Sequence, residues 1–279
     1  MIWPLVQNEL LKIYSLVRTY IGFILIAILM PLILWGYGAG TNITARELEM
    51  SLSDLFLFTG NPFNGFTAAY FILNFFWVHI PFLIALVGAD VLAGEEANGT
   101  FRVYAIRPVS RAMIFISKTL AAFIYTLSLV LFFALFSLGL GLAWHGGGDM
   151  LVFQDGILIL EAKEAVKRFI LAFGLSTLNM GLVSAIAIFF SSMVRNAVGP
   201  VIGTMAVIVL GIAISTLPFE IFDGMRPYLF TSYFRNWELA FYDPLPWRDL
   251  LLGVWNIVGT SIAFLLGAYW IFHRKDILS

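Results

Sequence analysis

The chain has 279 residues, of which 61% are hydrophobic and 12% are charged, and its formal net charge is −1. Soluble globular domains carry about 25% charged residues, so this composition excludes a soluble globule. Cysteine is absent, which excludes a disulfide framework, a thiolate nucleophile and a cysteine-ligated metal. Apolar runs of about 20 residues, the length that spans a bilayer, recur along the chain. They predict an all-α integral membrane protein.

Residues 1–18 predict an amphipathic helix that lies in the membrane interface. Its apolar side chains recur at helical spacing, with polar residues on another face. The apolar positions are Trp3, Val6, Leu10, Ile13 and Val17. The same pattern also fits a cytoplasmic extension of the first membrane-spanning helix, and both interpretations stay open.

Six apolar segments follow and predict six membrane-spanning helices. They occupy residues 20–37, 68–92, 112–144, 169–190, 197–217 and 250–272. Pro31 predicts a kink in the first of them. Six spans place both termini on one side of the membrane, together with nine of the sixteen Lys and Arg residues. The other seven lie mostly in longer connectors, where the positive-inside rule counts less, so both termini are expected in the cytoplasm.

A polar, basic segment, residues 94–111, interrupts the apolar pattern between the second and third predicted spans. Gly94 and Gly99 are expected to break helical periodicity, and Thr100 can cap a short helix. Pro108 ends that helix, because the residue before a proline is pushed out of the α region. Ser110 is then placed to cap the next long helix. We therefore expect a short helix between two breaks.

The side chains of this segment suit a surface that docks an aqueous partner. Phe101 and Tyr104 supply the aromatic anchors that are common at binding hot spots. Glu95 and Glu96 stand before the short helix, where its dipole favours carboxylates. Three arginines could pair with acids of a partner or with lipid phosphates: Arg102, Arg107 and Arg111. Anchoring of the helix ends to anionic headgroups is the alternative role for the basic residues.

The order of these residues resembles the permease subunit of ABC exporters of the ABC-2 type. The resemblance lies in Gly94-Glu95-x-x-x-Gly99-Thr100, then Arg107-Pro108-Val109-Ser110-Arg111, then Lys118 at the start of an apolar helix. It covers the whole topology, but at motif level only residues 90–118. It implies an N-terminal elbow helix, six spans, cytoplasmic termini and a multi-pass location in the plasma membrane (the bacterial inner membrane). It also implies a coupling helix within residues 94–111 that sits in a groove of a separate ATPase.

The resemblance further implies the partners and the division of labour. Two ATPase subunits would bind ATP and Mg²⁺, and a second permease copy would complete a dimer, expected to be a homodimer. The chain itself would not be an enzyme, with no cofactor, metal, catalytic residue or nucleic-acid partner. It also lacks a phosphate-binding loop sequence of its own. The residues expected to couple to the ATPase are Glu95, Glu96, Gly99, Thr100, Phe101, Arg102, Tyr104, Arg107, Pro108 and Arg111.

Four polar residues within the predicted spans are candidates to line a pathway. They are Asn74, His79, Asn179 and Asn256. Polar groups at membrane depth are costly and often functional, although hydrogen bonds between neighbouring helices would also explain them. Carboxylates are scarce at that depth, which favours an amphiphilic or hydrophobic substrate over a bare cation.

The connector predicted at residues 218–248 is rich in aromatic residues that would not stay exposed to water. We expect it to re-enter the outer leaflet or to form a lid over the outer ends of the spans. An alternative function keeps the architecture but relays ATPase motion to an extracytoplasmic envelope partner without transport. An intramembrane metalloprotease is a weaker alternative, because Thr100 stands where its Glu-Glu-x-x-x-Arg motif has arginine.

Overall fold

The computed structural model describes residues 2–52, 63–97, 99, 109–153, 156–196 and 198–275, with residues 41–52 described as backbone. The helices are α1 Ile2–Ser15, α2 Val17–Leu52, α3 Gly65–Phe76, α4 His79–Gly88, α5 Asp90–Ala97, α6 Arg111–His145, α7 Ala162–Met193, α8 Val198–Thr216 and α9 Trp247–Arg274. Between α8 and α9 lies the connector, residues 217–246. It contains short 3₁₀ helices at Glu220–Phe222, Arg226–Tyr228, Phe230–Tyr233 and Asn236–Phe241.

Within the described ranges, five helices are long and apolar enough to cross a membrane: α2 over Val17–Gly40, then α6, α7, α8 and α9. Helices α3 and α4 meet at a bend of 57° and bring the number to six if the pair is one span. The prediction of a multi-pass helical membrane protein is therefore confirmed.

The bend in the second predicted span is explained by Pro81 in the first turn of α4. Proline lacks the N–H that a continuous helix would donate to the carbonyl of Trp77, and its ring collides with that carbonyl. The helix consequently stops at Phe76 and starts again at His79. Pro31, the proline chosen from the sequence as a kink, lies inside the single helix α2. That helix also continues to Leu52, beyond the end predicted for the first span.

Helix α6 begins as the sequence predicts. Ser110 has an extended backbone, and its hydroxyl oxygen accepts a hydrogen bond of 3.3 Å from the amide of Met113. The last residue of the helix is His145, and the next residue, Gly146, has a φ of +72°, a backbone conformation that favours glycine.

A β-hairpin corrects the all-α expectation. Strand β1, Met150–Phe153, pairs antiparallel with β2, Ile157–Leu160, in the segment expected to be a polar connector. Both strands are short apolar runs, and the first follows a run of glycines, a pattern typical of strands. Met150 and Leu160 face the core, whereas Phe153, Ile157 and Ile159 are exposed.

Helix α7 is the centre of the bundle, because it packs against α4, α5, α6, α8 and α9. Close approach is possible where residues are small: a Cβ atom at Gly88 of α4 would lie 2.9 Å from the Cβ of Ala187. The bundle has two ends. The termini end is the one where Arg111 donates to the carbonyl of Lys275. The connector end is the one where the amide of Gly65 donates to the carbonyl of Gly146 and Arg168 donates to the carbonyl of Tyr242 in the connector.

Candidate functional site

The buried face of α1 carries a carboxylate. Val6, Glu9 and Ile13 are buried at helical spacing, whereas Trp3 and Val17 of the predicted apolar stripe are exposed. The helix lies along α6, where the hydroxyls of Tyr14 and Ser128 are 2.6 Å apart. Helix α1 therefore brings a negative charge to the start of α6.

Lys118 is the centre of an ion-pair network at the termini end. Its side chain is 1% exposed, and Nζ lies 2.8 Å from Oε2 of Glu9 and 2.7 Å from Oε2 of Glu95. Lys12 closes the group, with Nζ 3.0 Å from Glu9 and 2.7 Å from Glu95. We call these four residues the Lys118 network. It joins α1, α5 and α6, and its two carboxylates balance its two ammonium groups.

A further ion pair links the start of α2 to the start of α5. The guanidinium of Arg18 contacts the carboxylate of Asp90, which lies beyond the end of α4. Burial raises the pKa of Asp90 above its ordinary value, and the charge of Arg18 partly opposes that shift.

Glu96, the other carboxylate expected to face an ATPase, pairs with cations from α7 and the C-terminal tail. Its oxygens lie 2.5 Å from Nζ of Lys275 and 3.2 Å from Nε of Arg195. Arg111 binds the same tail, since its guanidinium donates to the carbonyls of His273 and Lys275 at 2.8 and 2.9 Å. These predicted coupling residues therefore bind groups of their own chain.

Ser191 of α7 holds the junction between α4 and α5. Its hydroxyl accepts from the amides of Leu92 and Ala93 and donates to the carbonyl of Ala89 at 2.5 Å. Backbone groups left free where two helices meet need such partners. One side chain thus fixes the direction in which α5 leaves the bundle.

Of the remaining predicted coupling residues, Gly99 lies within the part of the chain that the structure describes. Gly99 has a φ of +67°, and its amide donates to the carbonyl of Glu96 just after α5. Helix α5 therefore stops just before Gly99, as expected, whereas Gly94, the other glycine expected to break the helix, lies inside α5. Six residues lie outside the described part of the chain: Thr100, Phe101, Arg102, Tyr104, Arg107 and Pro108.

Three of the four predicted pathway residues bind the connector. Asn179 of α7 is buried, and its amide donates to the carbonyl of Phe234 and to the side chain of Asn236, both at 3.0 Å. Asn74 and Asn256 also bind connector residues, through longer hydrogen bonds. Asn74 accepts from Arg235 at 3.3 Å, and Asn256 donates to the carbonyl of Tyr228 at 3.4 Å.

The depth of the Asn179 contact shows how far the connector reaches. Asn179 lies 14 residues before the end of α7 at Met193, which is about 21 Å along the helix. The connector therefore reaches the midpoint of α7 as well as its first turns. Nearer the tip, the buried guanidinium of Arg168 donates to the carbonyls of Ala240 and Tyr242.

His79, the fourth predicted pathway residue, is exposed at the bend between α3 and α4. Its ring stacks on Phe75 with centroids 4.9 Å apart, and Nδ1 lies 2.9 Å from the carbonyl of that residue. Within the described ranges, no group of three His, Asp or Glu side chains is arranged to hold a metal ion.

Sequence reasoning chose neither Glu9, Lys118, Ser191 nor Arg168 as a site residue. Lys118 and Arg168 carried the clearest signal, because a charge inside or beside an apolar run is costly unless it is paired. The partner of each charge lies far away in sequence, so the pattern indicates a need for a partner without naming it.

The comparisons with known proteins concern nearly the whole chain. The family described as "Protein of unknown function (DUF2705)" matches residues 24–278. A protein of Bacillus subtilis (strain 168), described as "Uncharacterized protein YhcI", is 26% identical over 203 residues. The match covers 69% of this chain and 63% of that protein, so the chain spans less than two thirds of the relative's length.

Proposed function

The chain belongs to the DUF2705 family, and on that premise we propose that it is the transmembrane permease subunit of an ATP-binding-cassette exporter. A separate ATPase subunit hydrolyses ATP, and the permease moves an amphiphilic or hydrophobic substrate without chemistry of its own. The observation that carries the proposal is the Lys118 network, which ties together α1, α5 and α6, and the last two of these helices flank residues 98–110 in the sequence.

We call residues 98–110 the handle, because the network joins the helices on either side of this segment and a force on it would be passed to both. Glu95 precedes the segment and Lys118 follows it, and the two side chains meet at 2.7 Å. Since Glu9 binds the same ammonium group, α1 is held to both helices. Separating these side chains would leave charges unpaired in a buried site, which is unfavourable. We therefore expect a force that an ATPase applies to residues 98–110 to move α1, α5 and α6 together.

The proposed topology counts the bent pair α3–α4 as one span, which gives six. The protein would then lie in the plasma membrane of a bacterium, with both termini and the handle facing the cytoplasm. This orientation is favoured because nine of the sixteen cationic residues share that side. The connector would re-enter the outer leaflet, which fits its contact with the midpoint of α7.

The proposed assembly contains two permease copies and two ATPase subunits. In the apolar stretch that would cross the membrane, only 22% of α8 and 17% of α9 is buried, against 61% of α7. Their outer faces are thus available to lipid and to a second copy. We place the substrate passage between two copies, where the exposed faces of α8 and α9 would meet.

Co-purification tests the proposal directly. The tagged chain would be expressed with the ATPase encoded by a neighbouring reading frame and purified in a mild detergent. We expect the ATPase to co-purify with the wild type, and Phe101→Ala with Tyr104→Ala to weaken the association. Phe153→Ala, at an exposed aromatic residue of the connector end, is the matched control and should retain it. Purification of the intact chain without any ATPase would overturn the proposal.

A second candidate function is a relay that passes ATPase motion to an envelope partner without transport. The exposed apolar face of the hairpin favours it, because Phe153, Ile157 and Ile159 offer a surface to another protein. ATP hydrolysis by the complex in liposomes, measured with a panel of lipids, peptides and drugs, separates the two. Stimulation by a compound that is also carried across the bilayer supports export, whereas hydrolysis that responds to no compound supports the relay.

A further inference from the structure

An open pocket of about 380 Å³ lies where the connector meets the bend of α3–α4 and the last turns of α8. None of the residues chosen from the sequence lines it. Its wall includes Trp77, Ile212, Ser215, Arg226, Thr231 and Arg235. Two guanidinium groups and several hydroxyls thus face one cavity, and no carboxylate is among the described residues that line it.

Arg226 is fixed by the connector and keeps one donor free. Its Nη1 lies 2.5 Å from Asp223, and its Nη2 donates to the carbonyls of Leu217 and Phe219. Its Nε is buried and has no hydrogen-bond partner among the described residues. A buried donor without an acceptor is unfavourable, and Arg226 lines the pocket, so a ligand there would be favoured by the charge of this guanidinium.

Arg235 presents a flat guanidinium on another side of the pocket. It lies over the ring of Trp77 at 5.1 Å, and Nε donates to Glu238 at 2.5 Å. Stacking on an aromatic face and a fixed planar fork are the features that make arginine a selective partner for anions. The tryptophan also supplies apolar area beside the charge.

Hydroxyl groups complete the polar wall. Ser215 of α8 lies 2.8 Å from the hydroxyl of Thr231 and 3.1 Å from that of Ser232 in the connector. Close approach here depends on Gly211, because a Cβ atom at this position would lie 2.6 Å from a side-chain atom of Thr231. Hydroxyls can both donate and accept, so they can turn towards an anion.

We propose that this pocket binds the phosphate headgroup of an anionic amphiphile. The two arginines and the hydroxyls bind the phosphate oxygens, and Trp77 and Ile212 contact the apolar part of the molecule. Asp223 and Glu238 hold the arginines in place without entering the pocket lining. Because Trp77 joins α3 to α4, the apolar part of the bound molecule touches the bend itself. Binding requires neither an ATPase nor transport, so the proposal stands apart from the function proposed above.

The test is a binding titration on the full chain in nanodiscs of phosphatidylcholine. The probe is dihexanoyl phosphatidic acid, and dihexanoyl phosphatidylcholine is its zwitterionic counterpart. We expect saturable binding of the anionic probe, weakened roughly tenfold by Arg226→Gln or Arg235→Gln, since a charge-assisted bond is lost. Arg248→Gln removes an exposed arginine that does not line the pocket and should leave the affinity unchanged.

Two further arms keep the test decisive. Arg226 also binds connector carbonyls, so Ser215→Ala, which leaves both arginines in place, should weaken binding roughly threefold. The fluorescence change that the probe causes should disappear in Trp77→Phe. Competition by inorganic phosphate at equal affinity would identify a free anion as the natural source, and much weaker competition would identify a lipid. Equal binding of both probes, or equal affinities of the Arg226, Arg235 and Arg248 variants, would overturn the proposal.

Discussion

Lys118 and Glu9 are 109 residues apart in sequence, yet their side chains form a buried ion pair of 2.8 Å. Glu95 binds the same ammonium group from the opposite side of the segment that joins α5 to α6. The pair thus fastens the N-terminal helix to the two helices that flank this segment.

The first prediction concerns the stability of the Lys118 network. Lys118→Met removes the shared cation and leaves two buried carboxylates to Lys12, which is half exposed. We expect a loss of about 3–5 kcal/mol in the free energy of unfolding, because an uncompensated buried charge remains. The measurement is unfolding by sodium dodecyl sulfate in mixed micelles, followed by tryptophan fluorescence.

Lys167→Met is the matched control for that measurement. Lys167 is also a helical lysine paired with a glutamate, Glu164, but its side chain is 72% exposed. Exposed pairs contribute about 0–1 kcal/mol, so this variant should unfold almost like the wild type. Equal stability of the two variants would contradict the central position given to Lys118.

The second prediction concerns the junction between α4 and α5. Ser191→Ala deprives the amides of Leu92 and Ala93 of their acceptor in a buried site. The expected cost is about 1–3 kcal/mol. Ser192→Ala is the control, because among the described residues that hydroxyl donates to the carbonyl of Phe189, within its own helix. Faster hydrogen exchange at the two amides should appear in the first variant, and its absence would show that other contacts hold the junction.

The hydropathy of the sequence predicted where most spans lie, since each long run of apolar residues needs no partner to be recognised. Local rules succeeded as well: Ser110 caps α6, and Gly99 follows the end of α5. These successes depend on residues within one turn of each other. Pro81 was missed because the apolar segment around it is long enough to predict one continuous span, although the effect of the proline on the preceding turn is equally local.

The contents of the candidate site could not be predicted in the same way. Glu9 was assigned to no face, because its partner Lys118 lies on another helix and pairing at that distance leaves no local pattern. The strands at residues 150–153 and 157–160 are too short to show a period in hydropathy. The asparagines were recognised as unusual at membrane depth, but their common partner, the connector, is visible only in three dimensions.

The third prediction concerns the hold of Asn179 on the connector. Asn179→Leu keeps the volume but removes both donors to Phe234 and Asn236. We expect a loss of about 1–3 kcal/mol in stability and faster proteolysis within the connector, because buried polar groups lose their partners. Asn256→Leu breaks only a long contact of 3.4 Å and should change proteolysis little. Equal protection of the connector in the Asn179 variant would contradict this anchoring role.

The fourth prediction concerns the bend of 57° between α3 and α4, which we attribute to Pro81. Pro81→Ala restores an N–H that can bond the carbonyl of Trp77, so the two helices should straighten. Because the chain has no cysteine, spin labels can be attached to Phe71→Cys and Leu86→Cys alone. Fifteen residues of straight helix separate labels by about 22 Å. Electron paramagnetic resonance should therefore measure a longer distance between the two spin labels in Pro81→Ala and an unchanged distance in the control Pro31→Ala. If both variants keep the wild-type distance, packing against α7 maintains the bend, and the proline only occupies it.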